Sequence, residues 1–122
     1  MQEERVDEVG RKIELAWLTA FYGGLLTDKQ RQVLTLHCEE DLSLAEIAQE
    51  AGVSRQGVHD MLTRAAQRLF DMEEKLGMAA RFQRMEEGLE ECRTLLKEKR
   101  YDEAEGVIDT LIRLDQEENN GL

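Results

Sequence analysis

The stretch from Asp41 to Leu69, DLSLAEIAQEAGVSRQGVHDMLTRAAQRL, constrains the fold of this chain more than any other. Ser43 followed by Glu46 forms a capping box, and Ser54 is a second N-cap residue, so two helices are expected to begin just after these serines. Gly52 lies between them, where a positive φ ends the first helix without strain. The pattern therefore predicts two helices joined by a tight turn.

A consistent apolar pattern runs along the same stretch. Ala48 is small where two crossing helices approach closely, and Val58 and Met61 follow on the packed side. At spacings of three and four the stripe continues, which predicts a second helix of about six turns that ends at Gly77; its further members are Ala65, Leu69, Met72 and Leu76. This combination is typical of a helix-turn-helix, a motif that presents its second helix to a groove.

Another helix is predicted at the start of the chain, from about Glu4 to Tyr22. Gly23 and Gly24 are expected to end it. The apolar residues that predict it by their helical spacing are Val6, Val9, Ile13, Ala16, Trp17 and Ala20. Trp17 and Phe21 are expected to be core residues, with a dimer contact as the alternative.

The next predicted helix begins after Thr27, which forms a capping box with Gln30. It is expected to stop near Glu40 and Asp41. Its inward residues are predicted to be Val33, Leu34, Leu36 and His37. For His37 this means a packed, hydrogen-bonded core residue and not a ligand or a base.

The segment beyond Gly77 is predicted to form a helical hairpin. Its first helix runs from about Ala79 to Lys99 and carries an apolar stripe of Phe82, Met85, Leu89, Cys92 and Leu96. A turn at Tyr101 and Asp102 leads to a last helix with Ala104, Val107, Ile108, Leu111 and Leu114, and residues 116–122 form a polar, frayed tail. One such hairpin cannot bury both its faces, so it is expected to pack on the long helix or on a second subunit.

The whole chain is predicted to be all-α, because it contains no proline and its glycines cluster between periodic segments. Two parts are expected within its 122 residues. Residues 1–77 form a helix-turn-helix domain without a wing, and residues 78–122 form an acidic C-terminal helical arm.

The formal net charge of −11 opposes the non-specific attraction to phosphates on which most nucleic-acid binders depend. The charge is uneven. Residues 71–122 carry 8 Lys and Arg against 15 Asp and Glu, a net −7, whereas residues 53–68 carry three Arg and one Asp, a net +2. The second helix of the motif is therefore expected to be the least acidic surface of the chain.

No group of residues predicts catalysis, a metal site or a cofactor. Cys38 and Cys92 are far apart and only two histidines are present, so both thiols are expected to be buried and free. Glutamates recur with Arg and Lys at the spacing of a solvated helix face, and no nucleophile is paired with a base. With no basic flank before an apolar run and no bilayer-length stretch, a cytoplasmic protein without a membrane partner is expected.

The segment LLTDKQRQVLTLHCEEDLSLAEIAQEAGVSRQGVHDMLTRAAQRL resembles the fourth conserved region of bacterial sigma factors, which recognises promoter elements. LTDKQR, DLSLAEIA, GVSRQGVHD with Arg64, and MEEKLG resemble more closely the YlxM family. Members of that family are small sigma-region-four-like bacterial proteins encoded beside genes of the signal recognition particle. The resemblance covers about Val6 to Gly77 and implies an all-helical, dimeric, DNA-binding or regulatory protein that serves the signal recognition particle pathway.

Position by position, the sigma-like resemblance implies a set of nucleic-acid-binding residues on the second helix: Arg55, Gln56, His59, Asp60, Thr63, Arg64 and Arg68. Arg55, Gln56 and His59 would face the groove, and Arg64 and Arg68 would lie further along the helix, towards phosphates. Arg can bond guanine, Gln adenine, and Asp a cytosine amino group. Lys29 and Arg31 would hold the flanking backbone, and Ser43 and Ser54 at the two helix starts complete the set.

Two functions of different classes follow from these observations. The first is a dimeric, sequence-specific DNA-binding regulator. The second is a protein- or RNA-interaction module that binds the signal recognition particle without reading DNA, favoured by the acidic arm, since a negative surface complements basic partners. The apolar stripes exceed what the core of the motif can absorb, which predicts a homodimer, with an intramolecular bundle as the alternative.

Overall fold

The computed structural model describes the backbone of residues 2–120 and the side chains of residues 8–117. Six α-helices lie in this part of the chain: α1 (Gln2–Tyr22), α2 (Asp28–Cys38), α3 (Leu44–Ala51), α4 (Arg55–Leu76), α5 (Met78–Lys97) and α6 (Tyr101–Asn120). No strand occurs between residues 2 and 120, and the all-α prediction is confirmed. The chain divides into two compact units, Met1–Gly77 and Met78–Leu122.

The predicted capping boxes at the starts of α2 and α3 are both present. Thr27 Oγ1 accepts a hydrogen bond from the backbone N–H of Gln30 at 3.1 Å, and the Gln30 side chain accepts one from the Thr27 N–H at 3.2 Å. Ser43 and Glu46 make the same reciprocal pair at 3.2 and 3.1 Å. Each box satisfies two N–H groups that a helix start leaves without a partner, so these side chains fix where the helices begin.

The turn between α3 and α4 depends on Gly52 and Ser54. Gly52 has a φ of 71°, in the left-handed region where a Cβ causes strain. Ser54 caps α4 by accepting a hydrogen bond from the Gly57 N–H at 2.9 Å. Helices α2, α3 and α4 enclose a core of buried apolar side chains, namely Val33, Leu36, Ile47, Ala51 and Val58. The result is the predicted helix-turn-helix.

Helix α1 packs on a face different from its most obvious apolar repeat. Its buried side chains are Leu15, Leu18 and Tyr22, and Tyr22 Oη donates a hydrogen bond to a Glu73 carboxylate oxygen of α4 at 2.6 Å. Val9 and Ile13, which predicted the helix, are exposed, while Val6 lies outside the described side chains. The periodicity located the helix but not its buried side.

Trp17 and Phe21 were expected in the core, but both are only half-buried. Their rings meet edge to face with centroids 5.1 Å apart. The helix ends after Tyr22, and a 3-10 turn at Gly23–Leu25 follows, so the predicted end at the two glycines is confirmed.

His37 departs from its prediction. Val33, Leu34 and Leu36 of α2 are buried as expected, and the helix ends at Cys38, slightly before the predicted stop. The Nδ1 atom of His37 is buried and has no hydrogen-bond partner among the described residues, so the expectation of a hydrogen-bonded histidine was wrong. Burial lowers the pKa of His37, because the imidazolium form loses hydration, and the Lys12 charge lowers it further.

The turn between α5 and α6 lies two residues earlier in the chain than predicted. Lys99 has a φ of 61° and marks the turn, whereas Tyr101 and Asp102 already belong to α6. Asp102 and Glu103 lie in the first turn of α6, where negative charge favours the helix start. The backbone stays helical to Asn120, so the predicted frayed tail over residues 116–120 was wrong; Gln and Glu in this segment are good helix formers.

The two helices of the hairpin meet along a seam of five buried residues: Gly88, Cys92, Leu95, Ala104 and Leu111. Cys92 Sγ lies 3.6 Å from the Ala104 carbonyl oxygen, to which the thiol donates. Leu89, Leu96 and Ile108, which were expected on the packed stripe, are exposed. Both thiols of the chain are free, with Cys92 buried and Cys38 half-buried.

Candidate nucleic-acid interface

Helix α4 presents to solvent the side chains that the sequence predicted as nucleic-acid contacts. Its buried side consists of Val58, Ala65, Ala66 and Leu69. Around the rest of its first four turns, the exposed residues include Arg55, Gln56, His59, Asp60, Thr63, Arg64 and Arg68. We call this set the α4 face. Because one side of α4 holds the helix against the core, the α4 face is a rigid, outward-pointing surface.

Asp60 organises the part of the α4 face nearest the turn. Gln56 Nε2 donates a hydrogen bond to Asp60 Oδ1 at 3.0 Å, and His59 Nδ1 lies 3.7 Å from the same oxygen. The pairing restricts the Gln56 carboxamide to one orientation. The Thr63 hydroxyl donates to the His59 carbonyl oxygen at 3.0 Å, which leaves the Thr63 oxygen lone pairs directed outward.

The three arginines of the α4 face have unengaged guanidinium groups. Among the residues that the structure describes, Arg55, Arg64 and Arg68 form no ion pair. Elsewhere, Arg31 pairs with Asp28 at 3.2 Å, and Arg100 pairs with carboxylates on both sides. Guanidinium groups without a carboxylate partner can bind phosphate or guanine without first breaking an ion pair.

The four flanking residues predicted as contacts are not all brought to the α4 face. Ser54 is the N-cap of α4 and adjoins it, whereas Ser43 starts α3. Lys29 Nζ donates to the Ala51 carbonyl oxygen at 2.6 Å, which places it at the end of α3 beside the turn. Arg31 lies on another side of α2, where its chain approaches Gly23.

Two polar residues of this region were not predicted to affect nucleic-acid binding. Gln67 is exposed eleven residues after Gln56, on the same side of α4, and its Nε2 donates to Asp71 Oδ1 at 2.9 Å. The eleven-residue spacing from Gln56, about three turns of helix, was the sequence signal that could have identified Gln67 as part of the same side. Glu46 holds a carboxylate at the start of α3, and hydrogen bonds from Ser43 lower the pKa of this carboxyl. Its negative charge opposes phosphate binding at that helix start.

The remainder of the described chain offers no alternative chemistry of the metal-binding kind. Between residues 8 and 117, no three His, Cys, Asp or Glu side chains converge in a way that could hold a metal ion. Within residues 2–120, no helix combines the length and the apolar character that crossing a bilayer requires.

Comparison with known proteins adds to this geometry. Residues 9–108 match the family model described as "UPF0122: Putative helix-turn-helix protein, YlxM / p13 like". The match includes both helices of the motif and continues into α6, beyond the part of the chain in which the sequence showed a resemblance.

Individual relatives agree with the family match. A UPF0122 protein of Desulforamulus reducens is 47% identical over 79 residues, which cover 65% of this chain and 68% of the relative. Another, of Clostridium botulinum, is 40% identical over 88 residues, or 72% and 81% of the two chains. A third, of Halalkalibacterium halodurans, is 35% identical over 106 residues, or 86% and 97%. The chain therefore belongs to the UPF0122 family of YlxM / p13-like helix-turn-helix proteins.

Proposed function

We propose that this protein binds duplex DNA through the α4 face and acts as a sequence-specific regulator. The observation that carries the proposal is the set of three unpaired, exposed guanidinium groups of Arg55, Arg64 and Arg68 on a chain of net charge −11. In a helix-turn-helix, the N-terminal residues of the second helix contact base edges. This position assigns Arg55, Gln56 and His59 to bases and the two later arginines to phosphates.

Asp60 gives the proposed interface a selective character. A carboxylate repels phosphates unless it accepts a hydrogen bond from a base, and a cytosine amino group is the donor that suits it in the major groove. Since Gln56 occupies one Asp60 oxygen, the other remains for that contact. Affinity is then modest on most sequences and higher where this acceptor is matched, which is discrimination by repulsion as well as attraction.

We further propose that two copies bind together. Val9 and Ile13 of α1 are exposed at a spacing of four, with the half-buried Ala16 and Trp17 continuing along the helix. An apolar strip of this kind is suited to burial against a second copy. A dimer that contacts two half-sites needs its recognition helices about 34 Å apart, or one DNA turn.

The test begins with selection of binding sequences from a library of random duplexes by the full chain. Fluorescence anisotropy on a selected duplex then gives the dissociation constant over a range of salt concentrations. With three basic contacts in each subunit, the log–log slope is expected to be on the order of −5 for a dimer and about half that for a monomer. Arg64→Gln should reduce the slope, whereas Arg93→Gln, in which the replaced residue pairs with Glu90 at 3.3 Å in the hairpin, should not.

An absence of binding to any duplex at low salt contradicts the proposal. So does binding that Arg55→Gln and Arg64→Gln leave unchanged, because the affinity then belongs to another surface. Light scattering during size-exclusion chromatography tests the dimer separately, and a monomer at micromolar concentration removes only that part.

A second candidate function is supported by the acidic second unit. Residues 78–122 carry 7 Lys and Arg against 12 Asp and Glu, a net −5, which suits a basic protein better than a nucleic acid. In this second function, the protein binds the signal recognition particle, through the particle's protein or its RNA. Purification of the tagged chain with and without nuclease distinguishes binding to the particle's RNA from binding to its protein. A preparation free of particle components counts against this function.

A further inference from the structure

One side of the α5–α6 hairpin is covered by exposed apolar side chains. They are Leu89 and Leu96 of α5 with Tyr101, Ile108 and Ile112 of α6, each between 42% and 60% exposed. We call this set the hairpin face. The hairpin face belongs to the unit Met78–Leu122 and the α4 face to the unit Met1–Gly77, and the proposed DNA contact does not use the hairpin face.

The helical register places these residues on one side of the hairpin. Leu89 and Leu96 directly follow the buried Gly88 and Leu95, and Ile112 directly follows the buried Leu111. One residue corresponds to about 100° of rotation around a helix. Because both helices are right-handed and run antiparallel, the same rotation away from their shared seam leads to the same side. The hairpin face is thus one continuous surface, and exposed apolar patches of this kind mark interaction sites.

Carboxylates border the hairpin face along α6. Asp102, Glu105 and Asp109 recur at spacings of three and four, are exposed, and form no ion pair among the described residues. Residues 102–109 of α6 contain no Lys or Arg, and Arg93, which directly follows the buried Cys92 on α5, already pairs with Glu90 at 3.3 Å. A ligand that covers the apolar residues therefore gains further if it brings positive charge to this border.

The charge of the chain indicates what covers this surface. A second hairpin carries the same net −5, and residues 1–77 carry 9 Lys and Arg against 15 Asp and Glu, a net −6. Either of these occupants would add negative charge to a surface that is already bordered by it. A basic occupant from another molecule satisfies both the apolar residues and the carboxylates.

We propose that the hairpin face binds a basic amphipathic helix of another protein. Apolar side chains of that helix, spaced three and four apart, pack between Leu89 and Leu96 on one side and Ile108 and Ile112 on the other. Its lysines and arginines meet Asp102, Glu105 and Asp109. The hairpin and the bound helix then form a three-helix bundle, which buries a side that a two-helix hairpin leaves open.

The chain contains four isoleucines, which makes a direct test possible. Ile108 and Ile112 lie on the hairpin face, Ile13 is exposed on α1, and Ile47 is buried in the helix-turn-helix core. The full chain with labelled isoleucine methyl groups is titrated with a synthetic 20-residue amphipathic peptide of leucine and lysine. The methyl resonances of Ile108 and Ile112 are expected to shift, while those of Ile13 and Ile47 stay in place.

Affinity measurements with variants of the full chain complete the test. Leu89→Gln combined with Ile112→Gln is expected to weaken peptide binding at least about tenfold, whereas Leu25→Gln, at a 57% exposed site on the other unit, leaves it unchanged. Glu105→Gln with Asp109→Gln is expected to weaken it by about threefold and to reduce its salt dependence. Glu14→Gln with Glu50→Gln, on the other unit, is the control for charge alone.

Four results overturn the proposal. They are a lack of peptide binding, shifts at Ile13 or Ile47 in place of the hairpin isoleucines, equal binding of a scrambled peptide of the same composition, and a dimer that Leu89→Gln with Ile112→Gln converts to monomer. The last result assigns the surface to a second copy. Circular dichroism checks that the variants fold, and the titration of the unaltered chain decides the matter if they do not. DNA binding fails or succeeds independently, because Arg55 and Arg64 lie on the other unit.

Discussion

Lys29 Nζ lies 2.6 Å from the carbonyl oxygen of Ala51, the last residue of α3. The carbonyl groups at the end of a helix lack intrahelical partners and carry partial negative charge. The Lys29 ammonium therefore neutralises the end of α3 and connects α2 to the turn that orients α4. Lys29 was predicted to contact phosphate, whereas in the structure it binds a backbone carbonyl group. A phosphate contact and a structural contact predict different effects when Lys29 is replaced.

Replacement of Lys29 by methionine is expected to lower the free energy of unfolding by about 1 kcal/mol, because it removes a charged hydrogen bond at a helix end. Arg31→Met, which removes only an exposed ion pair with Asp28, is expected to cost less than about 0.5 kcal/mol. Urea unfolding followed by circular dichroism measures both. If Lys29→Met leaves stability unchanged and reduces the salt slope of DNA binding by about one, Lys29 acts on phosphate instead.

The paired Gln56 and Asp60 allow a test of specificity. Asp60→Asn removes a negative charge from the α4 face, so we expect tighter binding to random duplex DNA, by roughly threefold to tenfold at low salt, and a smaller preference for the selected sequence. Gln67 and Asp71 form the same pair three turns later and supply the matched control. Competition anisotropy gives both affinities. Asp71→Asn should change neither by as much, and an equal effect of the two variants points to a general charge effect.

Much of the helix-turn-helix could be predicted from sequence because its limits depend on local chemistry. Ser43 with Glu46, Thr27 with Gln30, and Gly52 act within a few residues of themselves. Such hydrogen bonds and backbone preferences need no knowledge of the tertiary structure. For the same reason, the exposure of Arg55 follows from its place in the first turn after a cap, opposite the packed residues.

The buried faces of α1 and of the hairpin could not be predicted in the same way. Each helix carries apolar residues on two sides, so the 3.6-residue period identifies the helix without showing which side is packed. In α1 the choice depends on the packing of the helix against α2 and α4, which buries Leu15 and Leu18. Around His37, burial from neighbouring elements decides the hydrogen bonding, and no local pattern reports it.

Gly88 controls how closely the two helices of the hairpin approach. A Cβ at this position would lie 2.5 Å from Leu111 Cδ2, whereas a Cβ at Gly106 would meet no atom within 4 Å. Both glycines are inside helices, so alanine adds a similar helix propensity of about 0.5–1 kcal/mol at each. Gly106→Ala is expected to stabilise the protein by about that amount.

Gly88→Ala is expected to destabilise the protein by about 1 kcal/mol, since overpacking against the buried Leu111 costs about 1–3 kcal/mol and exceeds the gain in propensity. Thermal unfolding of the two variants under the same conditions separates the contact from the propensity. A stabilised Gly88→Ala protein means that Leu111 can move away without loss and that the seam is less tightly packed than its geometry indicates.

The half-buried His37 predicts how stability depends on pH. Burial, and then the neighbouring Lys12 charge, lower the pKa of His37 below its ordinary value of about 6.5, so the unfolded chain takes up a proton more readily than the folded one. The stability that neutral His37 contributes is fully present above about pH 6.5. It is lost as the pH falls through the lowered pKa that His37 has in the folded protein. We therefore expect a lower free energy of unfolding at pH 5.5 than at pH 7.5, and His37→Gln should reduce this difference, as measured by urea unfolding. His59→Gln replaces the other histidine, which is exposed on α4, and should leave the difference as it is. If both variants reduce it equally, the charge balance of the whole chain and not the burial of His37 sets the pH dependence.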